Sequence, residues 1–198
     1  MFAYIEGKIT HKSPTFILLE NGGIGYLINI SLVTFQHIQN LEKCRLYTYL
    51  NIKKDGQSIA AFEYYGFFNQ EEKIMFELLI SVSGIGSNTA RVMLSSMSND
   101  EIQQAILTEN ERAISSIKGI GPKTAKRVIL ELKDKVAKTA DTRTPMVNNN
   151  FKIKDEALVA LTLLGFNKNT ASNAIEVVCK NGIPDSIENI IKSALKIL

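Results

Sequence analysis

The chain contains one ten-residue motif twice: Val82-Ser83-Gly84-Ile85-Gly86-Ser87-Asn88-Thr89-Ala90-Arg91 is followed 35 positions later by Ile117-Lys118-Gly119-Ile120-Gly121-Pro122-Lys123-Thr124-Ala125-Lys126. Each copy has an apolar residue, a polar residue, Gly-Ile-Gly, two further residues, Thr-Ala and a cation. Apolar residues with a period near 3.6 flank each copy and place both Gly-Ile-Gly segments between helices. The repeat therefore predicts two helix–glycine hairpin–helix units.

A glycine hairpin that leads into a helix can hold a phosphate group. Glycine permits φ > 0 and lets the backbone approach a ligand closely. The first turn of the following helix offers unpaired N–H groups and the positive end of the helix dipole. Because such contacts do not read base edges, two copies favour binding of nucleic acid through its phosphate backbone.

The candidate DNA-binding residues come from both copies. The second copy is basic, and no acidic residue occurs from Ser115 to Leu130. The first copy has one cation, but hydroxyl and amide groups also position phosphates. Two helix corners that need glycine only for their turns, or a solvated basic helix face, are the structural alternatives. The candidates are Gly84, Gly86, Ser87, Asn88 and Arg91, and in the second copy Lys118, Gly119, Gly121, Lys123, Thr124, Lys126 and Arg127.

Two nucleotide-binding loops with similar glycine content are excluded. The dinucleotide fingerprint G-x-G-x-x-G follows a strand, and here Thr89 and Thr124 occupy the position of its third glycine. The Walker A loop ends in G-K-[ST], whereas Pro122 separates glycine from lysine and no strand precedes the segment. We therefore predict that the chain has no ATPase activity.

No catalytic residue, metal site or cofactor is predicted. His11 and His37 are isolated, and Glu71-Glu72 opens a predicted helix, where acidic side chains interact favourably with the dipole. Cys44 and Cys179 lack a C-x-x-C partner and are expected to be reduced core thiols of a cytoplasmic protein. The net charge of +3 is too small to indicate a partner, and we expect neither a signal peptide nor a membrane span.

Composition divides the 198 residues into four segments. Residues 1–66 predict a small barrel with strands at 2–9, 15–20, 24–30, 44–52 and 59–65 and a short helix at 32–38. Residues 67–137 predict helices at 70–81, 88–96, 99–108, 111–117 and 122–136, with Ser98-Asn99 capping the third. Residues 138–153 predict a flexible linker, and residues 154–198 a third unit with helices at 155–164, 168–180 and 184–198.

The whole pattern resembles the RuvA family. The resemblance rests on both hairpins and on Gly22-Gly23-Ile24-Gly25-Tyr26, Tyr65-Gly66-Phe67 and Ala160-Leu161-Thr162-Leu163-Leu164-Gly165-Phe166. It implies an α+β, multidomain protein: an N-terminal OB-fold β-barrel, a tandem helix-hairpin-helix domain and a small C-terminal three-helix, UBA-like domain. It also implies a non-catalytic subunit of a complex that drives branch migration.

The resemblance further implies a set of partners. A homotetramer would hold four-way (Holliday) junction DNA open, with either one or two tetramers on each junction. The C-terminal domain would contact the hexameric RuvB ATPase, and the RuvC resolvase would join a larger complex. Three short helices cannot cover all of the apolar residues in the third unit, so we expect four of them to contact RuvB: Leu161, Leu164, Phe166 and Leu195.

In the family, an acidic pin on a barrel hairpin, usually two adjacent carboxylates, repels phosphates at the junction centre. The matching stretch is Ile52-Lys53-Lys54-Asp55-Gly56-Gln57, where only Asp55 is acidic and Lys54 stands in place of the first acid. The hairpin is also longer than the family pattern. Three interpretations stay open: Asp55 acts alone, Glu63 contributes, or the segment is a plain turn.

Two other functions fit part of the pattern. Some DNA glycosylases combine a helix-hairpin-helix with a catalytic aspartate, and Gly182-Ile183-Pro184-Asp185 superficially resembles their Gly-Pro-Asp element. That segment lies beyond the predicted linker and is better explained as a helix start. A non-catalytic DNA-binding module of a nuclease is the third hypothesis.

Overall fold

The structure is a computed structural model that describes residues 2–56, 58–141, 149–180 and 186–198. For residues 54, 55, 59, 138–141 and 149–152 it describes the backbone and not the side chains. The chain forms two compact units, Met1–Ala140 and Asp141–Leu198.

Five strands of the first unit close into a barrel. They are β1 (Tyr4–Lys12), β2 (Phe16–Asn21), β3 (Ile24–Ile30), β4 (Lys43–Asp55) and β5 (Ser58–Phe67). The order around the barrel is β1-β2-β3-β5-β4; β3 runs parallel to β5, and the other paired neighbours are antiparallel. Helix α1 (Leu32–Ile38) connects β3 to β4. The predicted OB-fold and the short helix are confirmed.

Alternate residues of the strands fill the barrel. Ile17 and Leu19 of β2 and Ile28 and Ile30 of β3 are buried, as expected for a sheet that curves around its own core. Gly66 explains one motif of the sequence. A Cβ atom at this position would lie 2.5 Å from Cγ2 of Ile28. Glycine therefore lets β5 approach the neighbouring strand.

Five helices follow the barrel and share one core. They are α2 (Gln70–Ile80), α3 (Ser87–Ser96), α4 (Asn99–Leu107), α5 (Glu111–Ser115) and α6 (Pro122–Asp141). Their core continues into the barrel wall, because the ring of Phe76 lies 5.2 Å from that of Tyr65 and 4.9 Å from that of Phe67. The predicted cap of α4 is confirmed: Ser98 and Glu101 form a reciprocal capping box.

A buried carboxylate joins the barrel to α2. Glu72 is 2% exposed, and its carboxylate accepts hydrogen bonds from Ser31 Oγ and, at 2.6 Å, from Thr34 Oγ1. Thr34 Oγ1 in turn accepts from the Phe68 N–H at 3.0 Å, at the exit of β5. Burial raises the pKa of Glu72, although the hydroxyl donors act against the rise. The sequence prediction, in which Glu72 only favoured a helix dipole, missed this buried position.

The raised pKa of Glu72 predicts a specific pH dependence. The folded-state pKa exceeds the unfolded one, so this group's contribution to stability is complete below the unfolded pKa and decreases as pH rises through the folded pKa. We expect the unfolding free energy of wild type, relative to Glu72→Gln, to decrease over that pH window. Denaturant titrations of both proteins across acid to neutral pH measure the difference, in which the other carboxylates cancel. A difference that does not vary with pH would contradict the prediction.

The second unit contains three helices among its described residues: α7 (Asn149–Leu163), α8 (Lys168–Lys180) and α9 (Ile187–Ala194). Their core includes Leu161, Ile175 and Ile190. Gly165 has φ of +98° and follows the end of α7, so the predicted helix stop is confirmed.

The segment predicted as a linker is partly helical. Helix α6 continues to Asp141 and α7 begins at Asn149, so the loop expected over 138–153 extends too far at both ends. Hydrophobic periodicity identifies a helix only where apolar residues recur along one face, and the mainly polar sequence at 138–141 and 149–152 does not show that recurrence. The last helix also differs from its predicted bounds of 184–198: α9 begins after the N-cap Ser186 and ends at Ala194. Its predicted start, Pro184-Asp185, lies outside the described residues.

Candidate nucleic-acid interface

The two Gly-Ile-Gly segments have the same backbone structure. Gly84 and Gly119 adopt φ of +96° and +92°, in the left-handed region that favours glycine. In the first hairpin the Ile85 N–H donates to the Val82 carbonyl at 3.0 Å, and in the second the Ile120 N–H donates to the Ile117 carbonyl at 3.1 Å. The sequence repeat is therefore also a structural repeat.

Three apolar positions of each copy anchor its hairpin in the core. They are buried in both copies: Val82, Ile85 and Ala90 in the first, and Ile117, Ile120 and Ala125 in the second. The isoleucine of Gly-Ile-Gly points inward, so both flanking glycines are exposed. The repeated apolar pattern is explained by folding alone, and the glycines require a separate explanation.

The second glycine of each hairpin is not required by the fold. Gly86 has φ of −89°, and Gly121 is also outside the left-handed region. Apart from the two neighbouring residues in the chain, no described residue has an atom within 4 Å of a Cβ placed at either glycine. Gly86 is the N-cap of α3 and provides no side-chain capping bond. Both positions thus present open backbone at a helix start, which is where an anion can approach.

The predicted lysines surround the second hairpin. Lys118, Lys123 and Lys126 are exposed, and within the described residues none forms a side-chain hydrogen bond or an ion pair. Thr124 is half-buried in the first turn of α6, as Ser87 is in that of α3. The second hairpin therefore combines open backbone with three available cations.

The two arginines of the motif region contact the protein itself. Arg91 donates to the Thr15 carbonyl at 2.9 Å and to Asn88 Oδ1 at 2.8 Å. Arg127 donates to the Ser83 carbonyl at 3.1 Å. The sequence prediction treated Arg91, Asn88 and Arg127 as free phosphate ligands, and it missed these contacts because the two carbonyls lie 76 and 44 positions away in sequence.

The β4–β5 hairpin carries the segment that matches the acidic pin. Its strands pair as far as Asp55 with Ser58, and Gly56 in the turn has φ of +59°. The side chains of Lys54 and Asp55, and residue 57, lie outside the described part of the chain.

Glu63 does not lie near the tip of this hairpin. It pairs with Asn51, four residue pairs from the end and so roughly 13 Å away at a strand's usual rise. Its carboxylate forms an ion pair with Lys53 at 2.7 Å, and the hydrogen bond from Lys53 lowers the pKa of Glu63. The charge of Glu63 is thus balanced locally, which argues against its contribution to a pin.

The structure shows how exposed the four residues are that were predicted to contact RuvB. Leu161 is completely buried in the core, and Phe166 is half-buried against it. Leu164 and Leu195 are exposed as expected. Leu163, which was not among the predicted contacts, is 83% exposed on α7. The sequence contained a signal for this exposure. Ala157 and Leu161, which are both buried, lie four residues apart on one face of the helix, and Leu163 lies on another face.

No described helix is both long and apolar enough to cross a membrane. In the described part of the chain, no three His, Cys, Asp or Glu side chains are grouped so that they could hold a metal ion.

The barrel and the paired hairpins define a class of multidomain protein that joins an OB-fold to a tandem helix-hairpin-helix domain. Residues 1–59 match the RuvA N terminal domain, residues 76–134 the SAM-like helix-hairpin-helix tandem, and residues 152–198 the RuvA C-terminal domain. The chain belongs to the RuvA family.

Relatives match along the whole chain. The Holliday junction branch migration complex subunit RuvA of Christiangramia forsetii is 44% identical over 196 residues, covering 99% of each chain. The proteins of the same name from Cytophaga hutchinsonii and Bacteroides fragilis are 45% and 41% identical, again over 99% of each chain. The similarity therefore extends over both compact units.

Proposed function

We propose that the protein binds four-way junction DNA as the non-catalytic subunit of a branch-migration complex. The proposal draws on family membership and on the name that its relatives carry. One observation supports it from the structure: Gly86 and Gly121 leave open backbone at two helix starts, where neither torsion angle nor packing demands glycine. A phosphate that approaches the backbone closely would require glycine there.

The two hairpins contribute differently in this proposal. Lys118, Lys123 and Lys126 bind phosphates at the second hairpin together with the N–H groups of α6. The first hairpin binds through Gly84, Gly86 and the hydroxyl of Ser87, with little net charge. Because release of counterions follows neutralised phosphates, the second hairpin dominates the salt dependence of binding.

Binding to four-way, three-way and linear DNA of matched sequence tests the proposal. We expect preference for the four-way junction without cleavage, and a log–log salt slope that falls by about 0.9 when Lys123→Gln removes one phosphate contact. The matched control, Lys192→Gln, changes an exposed lysine of α9 and should leave the slope unchanged. Equal affinity for all three DNAs would contradict the proposal. Strand cutting or base release would instead support the nuclease or glycosylase hypothesis.

The proposal includes an assembly. The division of labour assigns residues 1–66 to the barrel, 67–137 to DNA binding and 154–198 to contact with a hexameric RuvB ATPase in the cytoplasm. Residues 138–153, whose two ends are helical, connect the last two parts. The subunits form a homotetramer, one or two on each junction, which RuvC can join. Light scattering of the free protein should give about four times the chain mass of 22.0 kDa.

The β4–β5 hairpin supplies an altered pin in this proposal. Lys54 attracts phosphates that an acid would repel, and Asp55 repels them alone. Two unit charges about 4 Å apart interact by about 1 kcal/mol in water and about 4 kcal/mol at an effective dielectric constant of 20. We expect Lys54→Glu to weaken duplex binding more than junction binding, and Asp55→Lys to do the reverse. The junction-to-duplex ratio of dissociation constants at one salt concentration measures this. An unchanged ratio in both variants would place the turn away from the junction centre.

A further inference from the structure

We propose that Arg127 is a positioning residue: it couples the second hairpin to the turn of the first instead of binding a phosphate. This inference rests on the proposed function. The Arg127 guanidinium donates to the Ser83 carbonyl, and Ser83 immediately precedes Gly84 in the first hairpin. Arg127 itself lies on α6, the helix that begins at the second hairpin.

The internal repeat shows that Arg127 is an addition to the motif. An offset of 35 positions aligns Arg91 with Lys126 and aligns Arg127 with Val92. Val92 packs against the core of the first unit. The repeated cation is therefore Arg91 or Lys126, and the cation at 127 has no counterpart in the first copy. Arg127 therefore has a role that the first hairpin does not share.

The first hairpin is held from two sides. Arg91 on α3 reaches back to the barrel, where it donates to the Thr15 carbonyl at 2.9 Å. Arg127 approaches from α6, and Glu131, one helical turn further on, lies 3.9 Å from its Nε. We call Arg91 and Arg127 the hairpin clamp. Lys126, in contrast, is exposed without a side-chain partner in the described residues and remains available to DNA.

Ser83 offers a suitable acceptor. Ser83 lies beyond the end of α2, so its carbonyl takes no part in the hydrogen bonding of that helix, and cations stabilise the C-terminal end of a helix dipole. Ser83 lies just after the C-cap of α2, Ser81. Lys135 of α6 also reaches this region, since its Nζ lies 3.4 Å from Ser81 Oγ. Helix α6 thus contacts the exit of α2 at two points.

The coupling has a consequence for recognition of DNA shape. Two hairpins that bind phosphates distinguish DNA structures only if their separation is well defined, because positional errors of about 1 Å weaken a preorganised site. Loss of the Arg127 contact loosens the first hairpin while the second keeps its cations. The expected result is lower preference for four-way over linear DNA, with the salt dependence retained.

Hydrogen exchange of the DNA-free protein tests the clamp directly. In Arg127→Gln we expect the amides of Ile85 and Ala90 in the first hairpin to exchange about three- to tenfold faster, the range for loss of one exposed hydrogen bond. The equivalent amides of the second hairpin, Ile120 and Ala125, serve as an internal reference. Arg127→Lys, which can still donate to the carbonyl, should restore part of the protection.

Binding measurements complete the test with Lys126→Gln as the matched control. Lys126→Gln should reduce the salt slope by about 0.9 and leave exchange unchanged, whereas Arg127→Gln should retain the slope and lose selectivity. Unchanged exchange at Ile85 and Ala90, or a slope reduced as in Lys126→Gln, would overturn the inference. If the wild type showed no junction preference, the proposed function would fail, and the exchange data would still decide whether the clamp exists.

Discussion

Gly121→Val should weaken binding to four-way junction DNA at least tenfold and change the unfolding free energy by only about 1 kcal/mol. Apart from the two neighbouring residues in the chain, no described residue has an atom within 4 Å of a Cβ at this position, and the backbone is outside the left-handed region. The stability cost is limited to that of a poorer helix N-cap. Each hydrogen bond from the backbone to a charged phosphate oxygen contributes about 1.5–3 kcal/mol, and a branched side chain would block its approach. Gel-shift titration and denaturant unfolding measure the two effects.

Two other glycines provide the controls for this variant. Gly25→Val also adds a side chain in open space, but on β3 of the barrel, and should leave binding unchanged. Gly119→Val should lower both stability and binding, since φ of +92° is strained for any residue with a Cβ atom. If folded Gly121→Val bound junctions as tightly as wild type, the phosphate would not approach at this helix start.

Elements with one buried face were predicted most closely from the sequence. The bounds of β3, α1 and α8 agree with the structure. The alternation of buried Ile28 and Ile30 with less buried neighbours produces the period of two for β3. The C-terminal end of α6 was truncated: the prediction ended at residue 136, and the helix continues to Asp141. Hydrophobic periodicity reflects burial, so an element predicted from it ends where the recurring apolar residues end.

Long-range polar contacts could not be predicted. Glu72 looked like a surface acid at a helix start, and only the fold brings Ser31 and Thr34 to its carboxylate. Arg127 was interpreted as a phosphate ligand because its acceptor, the Ser83 carbonyl, belongs to the other hairpin, and the sequence does not show that the two are in contact. The glycines were predicted correctly as hairpin positions since their torsion requirement is local. What a cation contacts depends on tertiary structure, and composition does not contain that information.

Leu163→Glu is expected to reduce stimulation of the partner ATPase at least tenfold without loss of junction affinity. Leu163 is the most exposed apolar residue described on α7, and Leu164 beside it is 62% exposed. Truncation of a hot-spot side chain costs about 2 kcal/mol or more, and a charge buried at the interface adds a desolvation cost. ATPase rates of the partner, measured with junction DNA at several concentrations of each variant, report the effect.

Leu161 provides the contrast that separates contact from folding. It is completely buried, so Leu161→Ala should destabilise the second unit by about 2–5 kcal/mol, which is comparable to the whole stability of a unit this small. Removal of residues from Asn148 onward should abolish stimulation and leave junction binding nearly intact, because the described core residues of the barrel and of the hairpin domain extend no further than Val136. If Leu163→Glu stimulated the ATPase as well as wild type, α7 would not be the contact surface. If the truncated protein still drove branch migration, the second unit would have another role.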